Sequence, residues 1–129
     1  MAHPRPVVLV ADDDQSLCDL LHEFLEEEGY TVVGMRTGLA ALVRLEAGGI
    51  DLALLDWRLP GLTGPDICRR IRAAERADAR RLPIVVTSAS GHLERAAALA
   101  AGADDYLAKP FELDDLLALL ARHLPSPAS

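Results

Sequence analysis

A few positions scattered along this 129-residue chain carry side chains that, if gathered, could bind and transfer a phosphoryl group. They are the run Asp12-Asp13-Asp14, a single Asp56 closing an apolar stretch, the pair Thr87-Ser88 closing another, and Lys109. Carboxylates brought together repel one another unless something neutralises them. An all-oxygen donor set points to a hard cation, and a few carboxylates completed by water suit Mg²⁺. A threonine hydroxyl and a fixed ammonium would suit a dianionic phosphoryl group beside that metal. The chemistry is then transfer to a carboxylate oxygen, which can act as a covalent nucleophile. Taken singly, each residue has a plainer reading. Asp14 reads as a helix N-cap, Asp12 or Asp13 as a solvated acid, and Thr87 as the end of a strand. Asp56 resists this, because a lone carboxylate at the end of a buried run is costly without a partner.

Whether these residues meet depends on the elements that carry them. Short apolar runs occur at Val7–Val10, Thr31–Val33, Leu52–Leu55, Ile84–Val86 and Tyr106–Ala108. They are continuous rather than alternating, as expected of strands covered on both faces of a parallel sheet. Helical patterns lie between them. Leu17, Leu20, Leu21, Phe24 and Leu25 form one apolar stripe, and Leu113, Leu116, Leu117, Leu120 and Leu124 form another near the C-terminus. Gly29, Gly48 and Gly102 sit where helix C-caps are expected, and Thr63 with Asp66 fits a capping box for the third helix. The second helix is expected near Leu39–Ala47 and the fourth near Leu93–Ala101. Five strands alternating with five helices imply an α/β fold with right-handed crossovers. In such a sheet, ligands bind beyond the carboxyl ends of the strands where strand order reverses. Asp12–Asp14 follow the first strand, Asp56 the third, Thr87 and Ser88 the fourth and Lys109 the fifth. The second contributes only Met35 and Arg36, as an edge strand would.

Composition narrows the classes. The length suits one domain. Half the residues are hydrophobic and only 4% aromatic, so the core must be built from Leu, Val, Ile and Ala. A net charge of −7 argues against a general nucleic-acid or membrane-surface binder. No apolar run is long enough for a membrane span, and Met1-Ala-His-Pro-Arg-Pro6 has no signal-peptide core, so a cytoplasmic protein is expected. Cys18 and Cys68 form no CxxC pair and read as buried thiols. Twelve of the thirteen basic residues are Arg. The one Lys, at 109, suggests a site wanting a compact ammonium rather than a planar fork.

Four segments together resemble bacterial response-regulator receiver domains: Val8-Leu-Val-Ala-Asp-Asp-Asp14, Leu54-Leu-Asp-Trp-Arg-Leu-Pro-Gly61, Ile84-Val-Val-Thr-Ser-Ala89 and Ala101-Gly-Ala-Asp-Asp-Tyr-Leu-Ala-Lys-Pro-Phe111. The resemblance covers residues 6–124, leaving 1–5 as an extension and 125–129 as a tail or the start of a linker. It implies a flavodoxin-like (βα)5 fold, doubly wound, with strand order 2-1-3-4-5. It also implies that Asp56 accepts the phosphoryl group. Asp13, Asp56 and the backbone carbonyl of Arg58 would bind Mg²⁺, with Asp12 acting mainly through metal-bound water. Thr87 and Lys109 would hold the phosphoryl oxygens, Tyr106 would be the switch aromatic, and Lys109-Pro110 would be cis. Ser88 stands where the family often has Ala. Arg58 and Ala89 fall at variable positions that tune dephosphorylation, and their expected effects oppose each other.

The implied partners are a histidine kinase or phosphotransfer protein upstream and an output domain or partner protein downstream. Homodimerisation would use the face of helix 4, strand 5 and helix 5. Two rival readings stay open from the residues alone. One is a phosphohydrolase of the haloacid-dehalogenase type using Asp12-x-Asp14, although its later acidic pair should follow the Lys, whereas Asp104-Asp105 precede Lys109. The other is a receiver-like interaction module that is never phosphorylated, against which the intact acidic set argues.

Overall fold

The computed structural model describes residues 5–76 and 80–125, so most of the expected extension and tail lies outside the described residues. Elements run β1 (Val7–Ala11), α1 (Gln15–Glu27), β2 (Thr31–Met35), α2 (Gly38–Glu46), β3 (Leu52–Asp56), α3 (Gly64–Ala74), β4 (Ile84–Ser88), α4 (Arg95–Ala100), β5 (Asp105–Ala108) and α5 (Leu113–His123). The five strands are parallel and ordered β2-β1-β3-β4-β5, as the resemblance implied.

The continuous apolar strands follow from a core on each face. Leu9, Ala11, Ala53, Leu55, Ile84 and Val86 point toward α2, α3 and α4, packing with Leu42, Leu45, Ile67 and Ala98. Their neighbours Val8, Val10, Leu52, Leu54 and Val85 point the other way, toward Leu21 and Leu25 of α1 and Leu116, Leu119 and Leu120 of α5. Successive strand residues alternate faces, so burying both faces requires every position to be apolar. β2 lies at one edge of the sheet and is only partly buried.

Local signals set the helix starts. Asp14 caps α1 by accepting from Leu17 N–H at 3.2 Å. Thr63 and Asp66 form the expected reciprocal capping box on α3. Gly29, Gly48 and Gly102 follow α1, α2 and α4 with positive φ. α2 is shifted by one residue at each end from the expected span, because Thr37 caps it through Ala40 N–H. α4 is shorter than expected. Residues 89–94 form turns, with Gly91 at φ +61°, and the helix begins at Arg95 without a side-chain cap. Leu93, expected inside it, is exposed. Leu20 likewise falls outside the buried face of α1.

The edge away from the strand carboxyl ends is tied by Arg72 of α3. Its guanidinium donates to Glu75 at 2.6 Å, to Asp104 at 2.7 Å and to the Gly102 carbonyl at 2.9 Å. Asp104 in turn accepts from Ile84 N–H and Arg81. This cluster joins α3 to the starts of β4 and β5 and so fixes where their far ends emerge.

Candidate phosphoryl and metal site

Topology makes the site. The chain leaves β1 for β2 on one side and reaches β3, β4 and β5 on the other, so a crevice opens beyond the ends of β1 and β3. Ala11 is registered with Leu55, which puts Asp12 beside Asp56. Asp56 is registered with Thr87, and Ser88 with Ala108, the residue before Lys109. The backbone continues this alignment past the strands: Trp57 N–H donates to the Thr87 carbonyl at 2.7 Å, and Lys109 N–H to the Ser88 carbonyl at 2.8 Å. Lys109-Pro110 is cis.

The side chains converge accordingly. One carboxylate oxygen from each of Asp12, Asp13 and Asp56 lies within 4.8 Å of the others. Asp12 and Asp56 are buried and Asp13 is exposed, so the group opens to solvent on the Asp13 side. Lys109 Nζ lies 2.7 Å from Asp12 Oδ2 and 3.4 Å from Asp56 Oδ2. The other Asp12 oxygen accepts from Asp14 N–H at 2.9 Å. Thr87 is buried alongside. Gly64 makes the close packing of α3 possible, since a Cβ there would lie 2.7 Å from the Asp56 carbonyl oxygen.

Electrostatics set the charge states. Burial, and then the charge of Asp12, pushes the Asp56 carboxyl above its ordinary value, with Lys109 and the Arg58 N–H pulling the other way. For Lys109, burial acts to lower the ammonium's pKa. Hydrogen bonding to Asp12 and the charges of Asp56 and Asp12 outweigh it, and the net shift is upward. Lys109 is therefore a permanent cation between two carboxylates.

The structure thus brings together Asp12, Asp13, Asp56, Thr87 and Lys109, and the Arg58 N–H reaches Asp56 Oδ1 at 3.4 Å. Asp14 stays apart as the α1 cap, and Asp105 pairs with Arg122 and His123 of α5. Neither fits the hydrolase reading. Tyr106 is buried, and its hydroxyl donates to the Gly91 carbonyl in the β4–α4 turn. Cys18 and Cys68 are buried free thiols, as expected, but Cys18 also touches the site: its Sγ donates to the Asp12 carbonyl at 3.3 Å. Sequence gave no sign of that contact, because a cysteine on an apolar helix face reads simply as core. A bond between Ser88 and Glu94, described below, was equally hidden.

A five-stranded doubly wound sheet with an acidic crevice and an opposed lysine defines a class of phosphoryl-accepting signalling domains. Residues 8–121 match the family model described as "Response regulator receiver domain", and the chain belongs to that family. It is 43% identical over 114 residues to the phosphate regulon transcriptional regulatory protein PhoB of Rhizobium meliloti, covering 88% of this chain and 49% of that protein. The chain thus spans about half the length of the curated relatives it matches. Among solved structures it resembles the receiver domain of the sensor histidine kinase PA1611 from Pseudomonas aeruginosa, which has a magnesium ion coordinated in its active-site cleft. There the TM-score is 0.81 with 34% identity, covering 92% of this chain and 97% of that one. It also resembles a chain of the co-crystal structure of the Saccharomyces cerevisiae phosphotransfer protein Ypd1 with the receiver domain of its downstream response regulator Ssk1. That match has a TM-score of 0.83 and 25% identity, covering 95% of this chain and 91% of that one. The protein is a receiver domain of two-component signalling, and its role is that of a signalling domain. Among the described residues no helix is long and apolar enough to cross a membrane.

Proposed function

We propose that Asp56 accepts a phosphoryl group from a phospho-histidine on a kinase or phosphotransfer protein, and that the modified domain presents an altered surface to an output domain or partner. The observation that carries this reading is the buried Asp56 carboxylate lying close to both a permanent cation and two further carboxylates. Transfer forms a bond from a carboxylate oxygen of Asp56 to phosphorus as the donor's nitrogen–phosphorus bond breaks, and the imidazole nitrogen keeps the electron pair.

The donor set fits Mg²⁺: it is all oxygen, it is clustered, and it is open on the Asp13 side. Asp13, Asp56 and the Arg58 carbonyl would hold the ion. Both Asp12 oxygens already accept hydrogen bonds, which favours Asp12 acting through water. When bound, the cation supplies charge neutralisation for the phosphoryl oxygens. The chain's own residues do the rest. Lys109 stays protonated and offers its ammonium to the incoming oxygens. The Thr87 hydroxyl donates a hydrogen bond to them. Arg58, exposed at the rim, flanks the approach. A dianion on Asp56 draws Thr87 toward it, and Tyr106, packed behind the β4–α4 turn, follows. This biases the packing of the α4–β5–α5 face, through which the domain would also pair with a second copy. The functional unit is residues 6–124, working in the cytoplasm without contacting nucleic acid itself.

Incubation with Mg²⁺ and acetyl phosphate, read by mass spectrometry, tests the reading. One hydroxylamine-labile phosphoryl adduct, absent from Asp56→Asn, is expected. Steady phosphate release that depends on Asp12 rather than Asp56 would indicate a hydrolase, and no adduct would indicate an inert module. Trp57, next to Asp56, should change its fluorescence on adding Mg²⁺ or beryllofluoride.

A further inference from the structure

Beside the site lies a contact that the phosphoryl chemistry does not use. Ser88 follows Thr87 at the end of β4 and is buried. Its Oγ donates to Glu94 Oε1 at 2.8 Å and accepts from Ser90 N–H at 3.1 Å, while its carbonyl accepts from Lys109 N–H. Glu94 is the residue immediately before α4. Its carboxylate makes no side-chain cap bond to α4 and turns back to the strand instead.

The chain between the two residues is a run of turns containing Gly91 at positive φ. Along the backbone, a displacement of Thr87 and Ser88 reaches the helix only through these turns. The Ser88–Glu94 bond is a second, direct link. It fastens the last strand residue directly to the residue that opens α4 through a side-chain hydrogen bond. The turn is also tied by the Tyr106 hydroxyl on the Gly91 carbonyl, so the strand, the switch aromatic and the helix start form one hydrogen-bonded assembly.

We propose that Glu94 is a positioning residue that couples movement at Thr87 to α4 through Ser88. The proposal rests on the phosphoryl-acceptor reading above and adds the route by which that event leaves the site. When a dianion on Asp56 draws in the Thr87 hydroxyl, Ser88 moves with its neighbour, and Glu94 carries the displacement into Arg95–Ala100. Without the bond the site can still be phosphorylated, but the response of α4 is weakened.

The test uses the whole chain, with beryllofluoride plus Mg²⁺ as the phosphoryl mimic, and reads backbone amide resonances of residues 95–100. In parallel, acetyl phosphate adduct formation is followed by mass spectrometry. Wild type should show clear shifts in α4. Glu94→Ala should form adduct at the wild-type rate, and Ser88→Ala is compared with it for the α4 response alone. Both should lose roughly fivefold or more of the α4 response, about the factor one ordinary side-chain hydrogen bond supplies. The double variant should lose no more than either alone. Glu94→Gln, whose amide oxygen still accepts from Ser88, should keep most of the response. An undiminished α4 response in Glu94→Ala would overturn the proposal, as would a wild-type adduct without α4 shifts; both leave the phosphoryl-acceptor reading standing. Absence of any adduct in wild type would overturn both.

Discussion

Lys109 offers the sharpest test of the site's electrostatics. Lys109→Met keeps most of the apolar stem and deletes the charge. At an effective dielectric constant of about 20, unit charges at the observed 2.7 and 3.4 Å attract by roughly 6 and 5 kcal/mol. Most of that is offset in the wild type by the cost of desolvating three charged groups. What survives is better judged from buried pairs deprived of one partner, which lose about 3–5 kcal/mol. The Lys109 side chain is 20% exposed, so the lower end applies, about 3 kcal/mol. For a domain of this size the melting temperature should fall by about 12 °C. A urea titration followed by Trp57 fluorescence, without divalent metal, should show the midpoint reduced by roughly 1–2 M.

The deficit should also depend on pH in a defined direction. Burial and Asp12 already hold Asp56 above the ordinary value of 3.8, and Lys109 is the main group opposing them. Its removal raises the Asp56 pKa further. A group whose folded pKa exceeds its unfolded one favours folding when protonated, and that contribution is lost as pH rises through the folded pKa. The stability gap between wild type and Lys109→Met should therefore be full at neutral pH and shrink as pH falls toward 3.8. A gap below about 1 kcal/mol at pH 7, or one constant across that range, would refute the electrostatic account of the site.

Three further outcomes are expected. Gly64→Ala should cost about 1–3 kcal/mol, because its new methyl meets the Asp56 backbone rather than a flexible side chain; chemical denaturation measures the loss, and adduct formation should slow as Asp56 is displaced. Arg72→Met, which leaves Glu75 without the Arg72 guanidinium and Asp104 with Arg81 alone, should destabilise by up to about 3 kcal/mol, read by chemical denaturation. Burial pushes the Cys68 thiol up to about 11, so at pH 8 a thiol reagent should modify Cys68 only at the rate of unfolding, rising with urea. For the same reason, its contribution to stability holds below the ordinary value of 9.0 and is lost as pH rises toward 11.

Much of the fold was legible because two-sided burial leaves a plain mark: β3 and β4 are buried at every position, and both open with continuous apolar runs before the polar residues that close them at the site. The starts of α1 and α3 were legible for a similarly local reason, as Asp14 and Thr63 bond within their own turn, whereas the Thr37 cap on α2 was missed. The start of α4 was not legible either. Its span was read from alanine richness, whereas the observed start depends on a glycine turn and on Glu94 bonding back to a strand. No local pattern distinguishes a capping glutamate from one engaged elsewhere. Leu20 shows the same limit, since its helical spacing matches its buried neighbours and only the placement of the sheet leaves it exposed.

The site divides in the same way. Sequence by itself determined which residue types close each strand, and hence that Asp12, Asp56, Thr87 and Lys109 would share one edge, because parallel strands all point their carboxyl ends the same way. Tertiary structure alone decided how they interact. The register of β1 with β3 and of β4 with β5 set Lys109 between Asp12 and Asp56. The packing around them buried those two carboxylates and left Asp13 open to solvent. Distance and dielectric, which turn Asp12, Asp56 and Lys109 into one coupled charge system, are properties of the folded arrangement and have no counterpart along the chain.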